Sequence, residues 1–471
     1  MAIEDMKTKK KVSEILLNIN AVVVSTTEPF QYASGILSPI YTKCRVLLSY
    51  PKERKIIIDF MIKKISSFKK EIDVIASAGT SSTFLASLLT QYLNLPMVFI
   101  RPRRKKHGKK KEIEGEFQPG SKVLLVSDIF STEEDIPNSV DTIQRNGGVI
   151  TYCLAVFDNK ISKIPSFLKN KGIPYATLTD LTTLLEIAFE NGQITPEEKN
   201  AVEEWTKDPE IWNKLRMGKV KVKDHTKHFK KLSKIESEKI EKLLEENNRK
   251  LNLYGNVEKL LNHNKREIAR ILLKIKASTI NTAEPFRYTS GILSPIYTDN
   301  RLLISHPEEW NYIINSFVDV IINRIGLQNF DILSGIAISG IPHATLISER
   351  LGLPLVYVKS EENKGSYIEG RLSEDIRAIM IEDHISTGKS SLESVKVLRE
   401  NGVHVDWCVA IFSYNLKKAK KAFDDEKVKL LTLCDIASLM DIAIEMKYIK
   451  PEDREIVNDW LNDPESWEFN R

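Results

Sequence analysis

The chain repeats itself. Ala33-Ser-Gly-Ile-Leu-Ser-Pro-Ile-Tyr-Thr42 returns 256 positions later (33 to 289) as Thr289-Ser-Gly-Ile-Leu-Ser-Pro-Ile-Tyr-Thr298, and Glu28-Pro-Phe30 returns at the same offset as Glu284-Pro-Phe286. Near the far end of each copy, Asp208-Pro-Glu-Ile-Trp212 matches Asp463-Pro-Glu-Ser-Trp467. Each copy spans about 200 residues, roughly 11–213 and 267–468. Two long copies, not many short ones, mean a duplicated domain and exclude a solenoid. At 471 residues the chain is also too long for one typical core. The expected layout is a first domain 1–213, a linker 214–266 and a second domain 267–471.

Each copy reads as a helical start followed by alternating strands and helices. In the first, Val74–Ser77, Met97–Ile100, Val123–Val126 and Tyr152–Phe157 are short apolar runs, with helical spacing in Ser82–Tyr92 and Ser139–Arg145 between them. That alternation predicts an α/β domain with a mostly parallel sheet flanked by helices. Ligands of such sheets sit outside the carboxyl ends of the strands. The linker is lysine-rich from Lys214 to Lys231 and then helix-like over Leu232–Leu244, which reads as a solvated connection with one amphipathic helix.

One stretch of the second copy carries chemistry. Ala378-Ile-Met-Ile381 is apolar and predicts a buried strand, with Glu382 and Asp383 following at its end. The turn Ser386-Thr-Gly-Lys-Ser390 comes next, then helical spacing over Ser391–Glu400 with Leu392, Val395 and Leu398 on one face. A strand, a hydroxyl- and glycine-rich turn and a helix N-terminus make an anion site, because backbone N–H groups and the helix dipole converge on a phosphate. Adjacent carboxylates before the turn suit vicinal hydroxyls such as those of a ribose, so a phosphorylated sugar is the expected ligand. Gly388-Lys389-Ser390 has the ending of a nucleoside-triphosphate loop. That motif needs a glycine five positions before Gly388, and Asp383 stands there. A plain strand–turn–helix is the bland alternative, against which the acid pair weighs.

This stretch resembles the phosphoribosyl diphosphate (PRPP) signature of type I phosphoribosyltransferases. Glu284 to Arg301, Ser339-Gly-Ile-Pro-His-Ala344, Ala410-Ile-Phe-Ser-Tyr414 and Asp463 to Trp467 narrow the resemblance to the orotate phosphoribosyltransferase family. The resemblance implies two tandem domains of that fold forming an internal pseudo-dimer. It implies transfer of 5-phosphoribosyl from PRPP to orotate, giving orotidine 5′-monophosphate and diphosphate in pyrimidine synthesis. Mg²⁺ is the implied cofactor, held mainly through PRPP, with Asp383 the candidate protein ligand. By the same resemblance Glu382 and Asp383 orient the ribose, Ser386, Thr387, Gly388, Lys389 and Ser390 hold the 5′-phosphate, and Ser339, Gly340 and Lys359 meet the diphosphate. Ser386, Tyr297 and Arg301 are the implied base contacts. Lys105, His107 and Asp383 are the implied catalytic residues. His384 is expected to pack near the strand end. In both copies a leucine, Leu37 or Leu293, stands where family members commonly carry a basic residue. The alternatives are the same chemistry on another base, or a PRPP sensor without turnover.

The two copies have diverged in complementary places. Where the second copy has Gly388, Lys389 and Ser390, the first has Glu133, Glu134 and Asp135. Carboxylates there repel an anion. At the Gly340 position the first copy has Ser82, so its sugar-phosphate site is expected to be dead. Conversely, Arg101-Pro-Arg-Arg-Lys-Lys-His-Gly-Lys-Lys-Lys111 resembles the basic closing loop of the family, with Arg101, Arg103, Lys105 and His107 as PRPP-binding cations. The second copy's version is three residues shorter, lacks the histidine and carries Glu361 and Glu362. In the family that loop closes on the partner's site, so a single composite site is expected, built from the second copy's pocket and the first copy's cations.

Composition sets the remaining bounds. Hydrophobic residues make up 42% and charged residues 28%, as in ordinary soluble proteins. No apolar run approaches the ~20 residues of a membrane span, and the first ten residues lack the apolar core of a secretion signal. Cys44, Cys153, Cys408 and Cys434 are scattered without metal-ligand spacing and read as thiols of a reducing, cytoplasmic compartment. A net charge of +5 admits anionic substrates without demanding nucleic acid. The linker interleaves no aromatics with its cations, and 101–111 out of context reads as a disordered basic loop or a nucleic-acid patch; within the whole pattern nucleic acid is not an expected partner. No membrane partner is expected, and association of whole chains is left open.

Overall fold

The computed structural model describes residues 2–32, 35–66, 68–101, 112–130, 135–217, 220–222, 257–287, 291–361, 365–373 and 375–467. They divide into two compact units, Met1–Ser237 with Glu369–Ser373, and Glu238–Ile368 with Glu374–Arg471.

The first unit is built on six strands: β1 (Val74–Ala78), β2 (Met97–Ile100), β3 (Ile113–Glu114), β4 (Lys122–Phe130), β5 (Val149–Asp158) and β6 (Tyr175–Asp180). They lie in the order β6-β5-β4-β1-β2-β3. All neighbours are parallel except β2 and β3. Parallel strands need crossovers, which α1 (Thr83–Leu93) and α2 (Asp135–Arg145) supply. Every residue of β1 is buried, as both faces of a helix-covered sheet demand. The core of one face gathers Val74, Val98, Val123 and Leu125 from the strands with Val140 and Ile143 from α2.

The second unit repeats the plan. After α3 (Pro307–Val320) come β7 (Ile332–Ile336), α4 (Gly340–Leu351), β8 (Leu355–Glu361), β9 (Gly365–Glu369), β10 (Arg377–Ile385), α5 (Lys389–Glu400), β11 (His404–Ser413) and β12 (Lys429–Asp435). The strand order is β9-β8-β7-β10-β11-β12. In both units the order reverses at the centre, between β1 and β4 and between β7 and β10. Connections leave that point in opposite directions and open a crevice at the strands' carboxyl ends.

The predicted strand Ala378–Ile381 is longer in the structure. Pairing with β7 stops at Ile381, but β11 continues the ladder through Glu382, His384 and Ile385. Glu382 and Asp383 are therefore strand residues, standing where β7 has ended. Sequence pattern missed this because charged residues interrupt the apolar run. The helix expected to start at Ser391 begins at Lys389.

The twin Ser-Gly-Ile-Leu-Ser-Pro segments fold alike. In each, two residues at Leu-Ser pair antiparallel with Phe30–Gln31 or Phe286–Arg287. Gly35 and Gly291 take φ of +86° and +90° in the turn, a conformation that excludes most side chains. A tryptophan fixes each turn from the far end of the copy: Trp205 Nε1 donates to Leu37 O at 3.0 Å, and Trp460 Nε1 to Leu293 O at 2.9 Å. Both rings are buried.

Helices Pro209–Arg216 and Val257–Lys274 run across the two ends of the segment 214–266. The helix predicted at 232–244 lies outside the described residues. Among the described residues, no helix is long and apolar enough to cross a membrane. All four cysteines are buried and unbridged.

Replacing Trp205 or Trp460 by phenylalanine removes the donor to a backbone carbonyl, of buried Leu37 or half-buried Leu293, so each change should cost about 1–3 kcal/mol in urea unfolding. A loss at one position and none at the other would break the equivalence of the two turns.

Candidate active site at the switch point of the second unit

Two helix starts and one strand end meet at the β7/β10 crevice. β7 leads through Ala337, Ile338 and Ser339 into α4, and the Ala337–Ile338 peptide is cis. A Cβ on Gly340 would lie 2.6 Å from the carbonyl oxygen of Ile381. Only glycine lets the first turn of α4 rest on β10 this closely. At the start of α5, Gly388 takes φ +78°, and a Cβ there would meet the Phe423 ring at 2.6 Å. Among the described residues, no side chain caps the first turn of α4 or α5. The initial N–H groups of an α-helix have no intrahelical acceptor. Two such ends at one crevice suit a ligand with two anionic groups. Around the α5 end, Ser386, Lys389 and Ser390 are exposed, Thr387 is half-buried and Gly388 is buried. The Lys389 ammonium lies 4.0 Å from Glu393.

The acids lie between those ends, each only 4% exposed. Glu382 Oε1 accepts from the Asp383 N–H at 3.0 Å, and Oε2 accepts from Ser391 Oγ at 3.3 Å. Asp383 Oδ1 accepts from Ser339 Oγ at 3.1 Å and from the His384 N–H at 2.9 Å. The neighbouring 3₁₀ turn is tied in by Asn300, whose Nδ2 donates to the Asp383 carbonyl at 2.8 Å. Burial and the adjacent Asp383 charge push the Glu382 carboxyl well above its usual range. Burial also acts to raise Asp383, but the charge and hydrogen bonding of His384, with a hydrogen bond to Glu382, outweigh it and hold Asp383 well below the carboxylate range. The His384 ring Nδ1 is 3.2 Å from Asp383 Oδ2. Burial opposes its protonation, yet the Asp383 charge prevails and raises its pKa. The pair therefore splits into a reluctant acid and a firmly ionised one.

Of the residues expected from sequence, Ser339, Gly340, Glu382 and Asp383 are brought together here. Lys359 is half-buried, its ammonium 6.0 Å from the Tyr367 ring centre. Tyr297 is 41% exposed and lies against Phe286. Arg301 Nε donates to Asp299 Oδ1 at 2.5 Å. Ser391 and Asn300 were not singled out by sequence reasoning. Asn300 lay inside the recognised run Glu284–Arg301, but nothing in a lone sequence tells which polar side chain there turns inward.

The first unit keeps part of this geometry and shuts the rest. Ser81 Oγ donates to Asp128 Oδ1 at 2.9 Å, as Ser339 does to Asp383. The Asp135 carboxylate lies over Gly79, with Oδ2 2.8 Å from where a Cβ would stand. Ala78, Ser81, Ser127, Asp128, Asp135 and Ile164 are among the residues enclosing the space that remains, about 10 Å³. Arg101 forms an ion pair with buried Glu114. Arg103, Lys105 and His107, like Glu133 and Glu134, lie outside the described residues.

The split acids give a signed pH prediction. A folded-state pKa raised above the unfolded value of ~4.3 means that ionising Glu382 costs stability as pH rises through the folded value. Glu382→Gln should match the wild type near pH 4. It should exceed it at pH 8, seen as a higher Tm. Equal melting at both pH values would contradict the raised pKa.

Curated relatives share this chain's sequence over one copy's length. An orotate phosphoribosyltransferase of Coxiella burnetii is 46% identical over 205 residues, 43% of this chain and 97% of that protein. One from Listeria monocytogenes is 41% identical over 205 residues with the same coverage. A solved orotate phosphoribosyltransferase from Aeropyrum pernix aligns at 23% identity over 39% of this chain and 99% of its own, with a TM-score of 0.33. No protein-family model matches. With an identity of that size over nearly the whole of a relative, and a doubled α/β sheet bearing an acid pair at its switch point, the chain belongs to the orotate phosphoribosyltransferase family.

Proposed function

We propose that the chain transfers 5-phosphoribosyl from PRPP to orotate, giving orotidine 5′-monophosphate and diphosphate, and that it does so at one site per chain. The observation that carries this reading is the buried Glu382–Asp383 pair set between two helix starts without side-chain caps. The orotate specificity rests on the names of the relatives. In the reaction a ring nitrogen of the base attacks C1 of PRPP while the C1–O bond to diphosphate breaks. Positive charge develops on the ribose and negative charge on the leaving group. Asp383, ionised and held by Ser339, is suited to orient the ribose hydroxyls, and the first-turn N–H groups of α5 to hold the 5′-phosphate. Stabilising charge that grows in the transition state is the main lever in such a step. By the family resemblance that task falls to Arg103, Lys105 and His107, which lie outside the described residues. Arg101 is already paired with Glu114, so it is the least suited of the four cations.

Among the described residues no three His, Cys, Asp or Glu side chains form a metal cage. Mg²⁺ needs none, since it is commonly held by one or two carboxylates together with substrate phosphates. Asp383 is the fitting carboxylate, because Glu382 resists ionisation. When bound, the ion supplies countercharge to the diphosphate. A second reading, the same transfer to another base, is favoured by Leu293, which presents a carbonyl held by Trp460 where a cation would meet an anionic base.

The test is consumption of orotate by the whole chain, with PRPP and Mg²⁺ each present or withheld and uracil run in parallel. Loss of orotate only with both present is expected, and Lys105→Ala should lower kcat by about 10²-fold or more. Turnover of uracil alone would support the second reading. No turnover, or an unaffected Lys105→Ala variant, would contradict the proposal.

A further inference from the structure

His343 is a buried polar group for which the reaction as written has no use. It lies in the first turn of α4, three residues after Gly340, so both project to the same helix face. That is the face that rests on β10. The ring is fully buried, edge-on to Trp310 and stacked on Phe317 of α3. Trp310 Nε1 donates to His343 Nδ1 at 2.9 Å. An indole N–H can only donate, so Nδ1 must be the bare nitrogen and the ring proton must sit on Nε2. His343 follows Ser339 by four residues, one helical turn, and Ser339 Oγ donates to Asp383 Oδ1 at 3.1 Å; burial keeps the ring from taking a second proton, with a pKa of about 4. Among the described residues, the Nε2 atom has no hydrogen-bond partner.

A buried donor without an acceptor is destabilising. A leucine would fill the space without that cost, and the first copy has one, Leu85, at the equivalent position. There Asp128 has the Asp135 carboxylate nearby, lying over Gly79. The donor persists in the copy that keeps Gly340, Gly388 and the Glu382–Asp383 pair.

We propose that His343 is a positioning residue for Asp383: Trp310 fixes its tautomer, and its Nε2–H, through one bridging water, steadies the Asp383 carboxylate when PRPP draws that carboxylate toward the ribose. This inference rests on the PRPP site proposed above. The imidazole acts through Asp383 and does not touch the substrate. Its neutral state matters, because a cation here would compete with PRPP-bound Mg²⁺ for the same carboxylate.

Two amide variants separate this role from a purely structural one. Gln places its amide nitrogen near the Nε2 position, whereas Asn keeps an acceptor near Nδ1 for Trp310. Both are compared with His343→Leu in the whole chain, by calorimetric titration with PRPP and Mg²⁺ and by thermal melting. His343→Gln should bind PRPP within about 3-fold of the wild type. His343→Asn and His343→Leu should bind about 10-fold more weakly, whatever their melting temperatures. Any order in which Gln does not bind PRPP better than Asn overturns the proposal. Should the Gln variant fail to fold, ¹⁵N-histidine spectra of the wild type decide: the His343 Nε2–H resonance should shift on adding PRPP, and an unmoved resonance overturns the proposal. Orotate turnover by the wild type is scored separately, so failure of the wider functional reading is not mistaken for failure at His343.

Discussion

Two adjacent carboxylates cannot both be buried and charged without help, and the second unit is arranged around that constraint. Its answer is unequal treatment. Glu382 turns back on the Asp383 N–H and on Ser391, and its carboxyl is pushed toward the neutral form. Asp383 collects Ser339, the His384 N–H and the His384 ring, and stays ionised. Keeping like-charged groups apart in pKa is how one short segment can offer both a neutral acceptor and a fixed charge. The position costs stability, as is common where a site is built for a ligand.

The doubled architecture was legible because exact segments recur at one offset, and the parallel sheets because β1 and β4 read as unbroken apolar runs. Glu382, Asp383, Ser339 and Gly340 were legible as a motif, and they do meet. The extent of β10 was not, since its last four residues owe their strand pairing to β11 alone and not to an apolar pattern. Trp205 and Trp460 stood beside a repeat that had been noticed. Their partners, the carbonyls of Leu37 and Leu293, lie 168 and 167 residues away. A lone sequence carries no sign of such a pairing. Asn300 and His343 escaped for a similar reason, because their roles depend on what faces them across the fold.

Comparison of the two units shows what a duplicated domain keeps once one site is no longer needed. The sheet, the switch point, the tryptophan-anchored turn and the serine-to-aspartate bond all persist in the first unit. Among the described residues, the Asp135 carboxylate over Gly79 sets the first unit's crevice apart. Packing constrains the framework in both copies, whereas the proposed anion binding would constrain the crevice in one. That asymmetry is the basis for the proposal of one working site per chain.

Calorimetric titration of the full chain with PRPP and Mg²⁺ tests that claim directly. One PRPP bound per chain, lost on Asp383→Ala and retained on Asp128→Ala, is the predicted result. Two per chain, or one that survives Asp383→Ala, would contradict it.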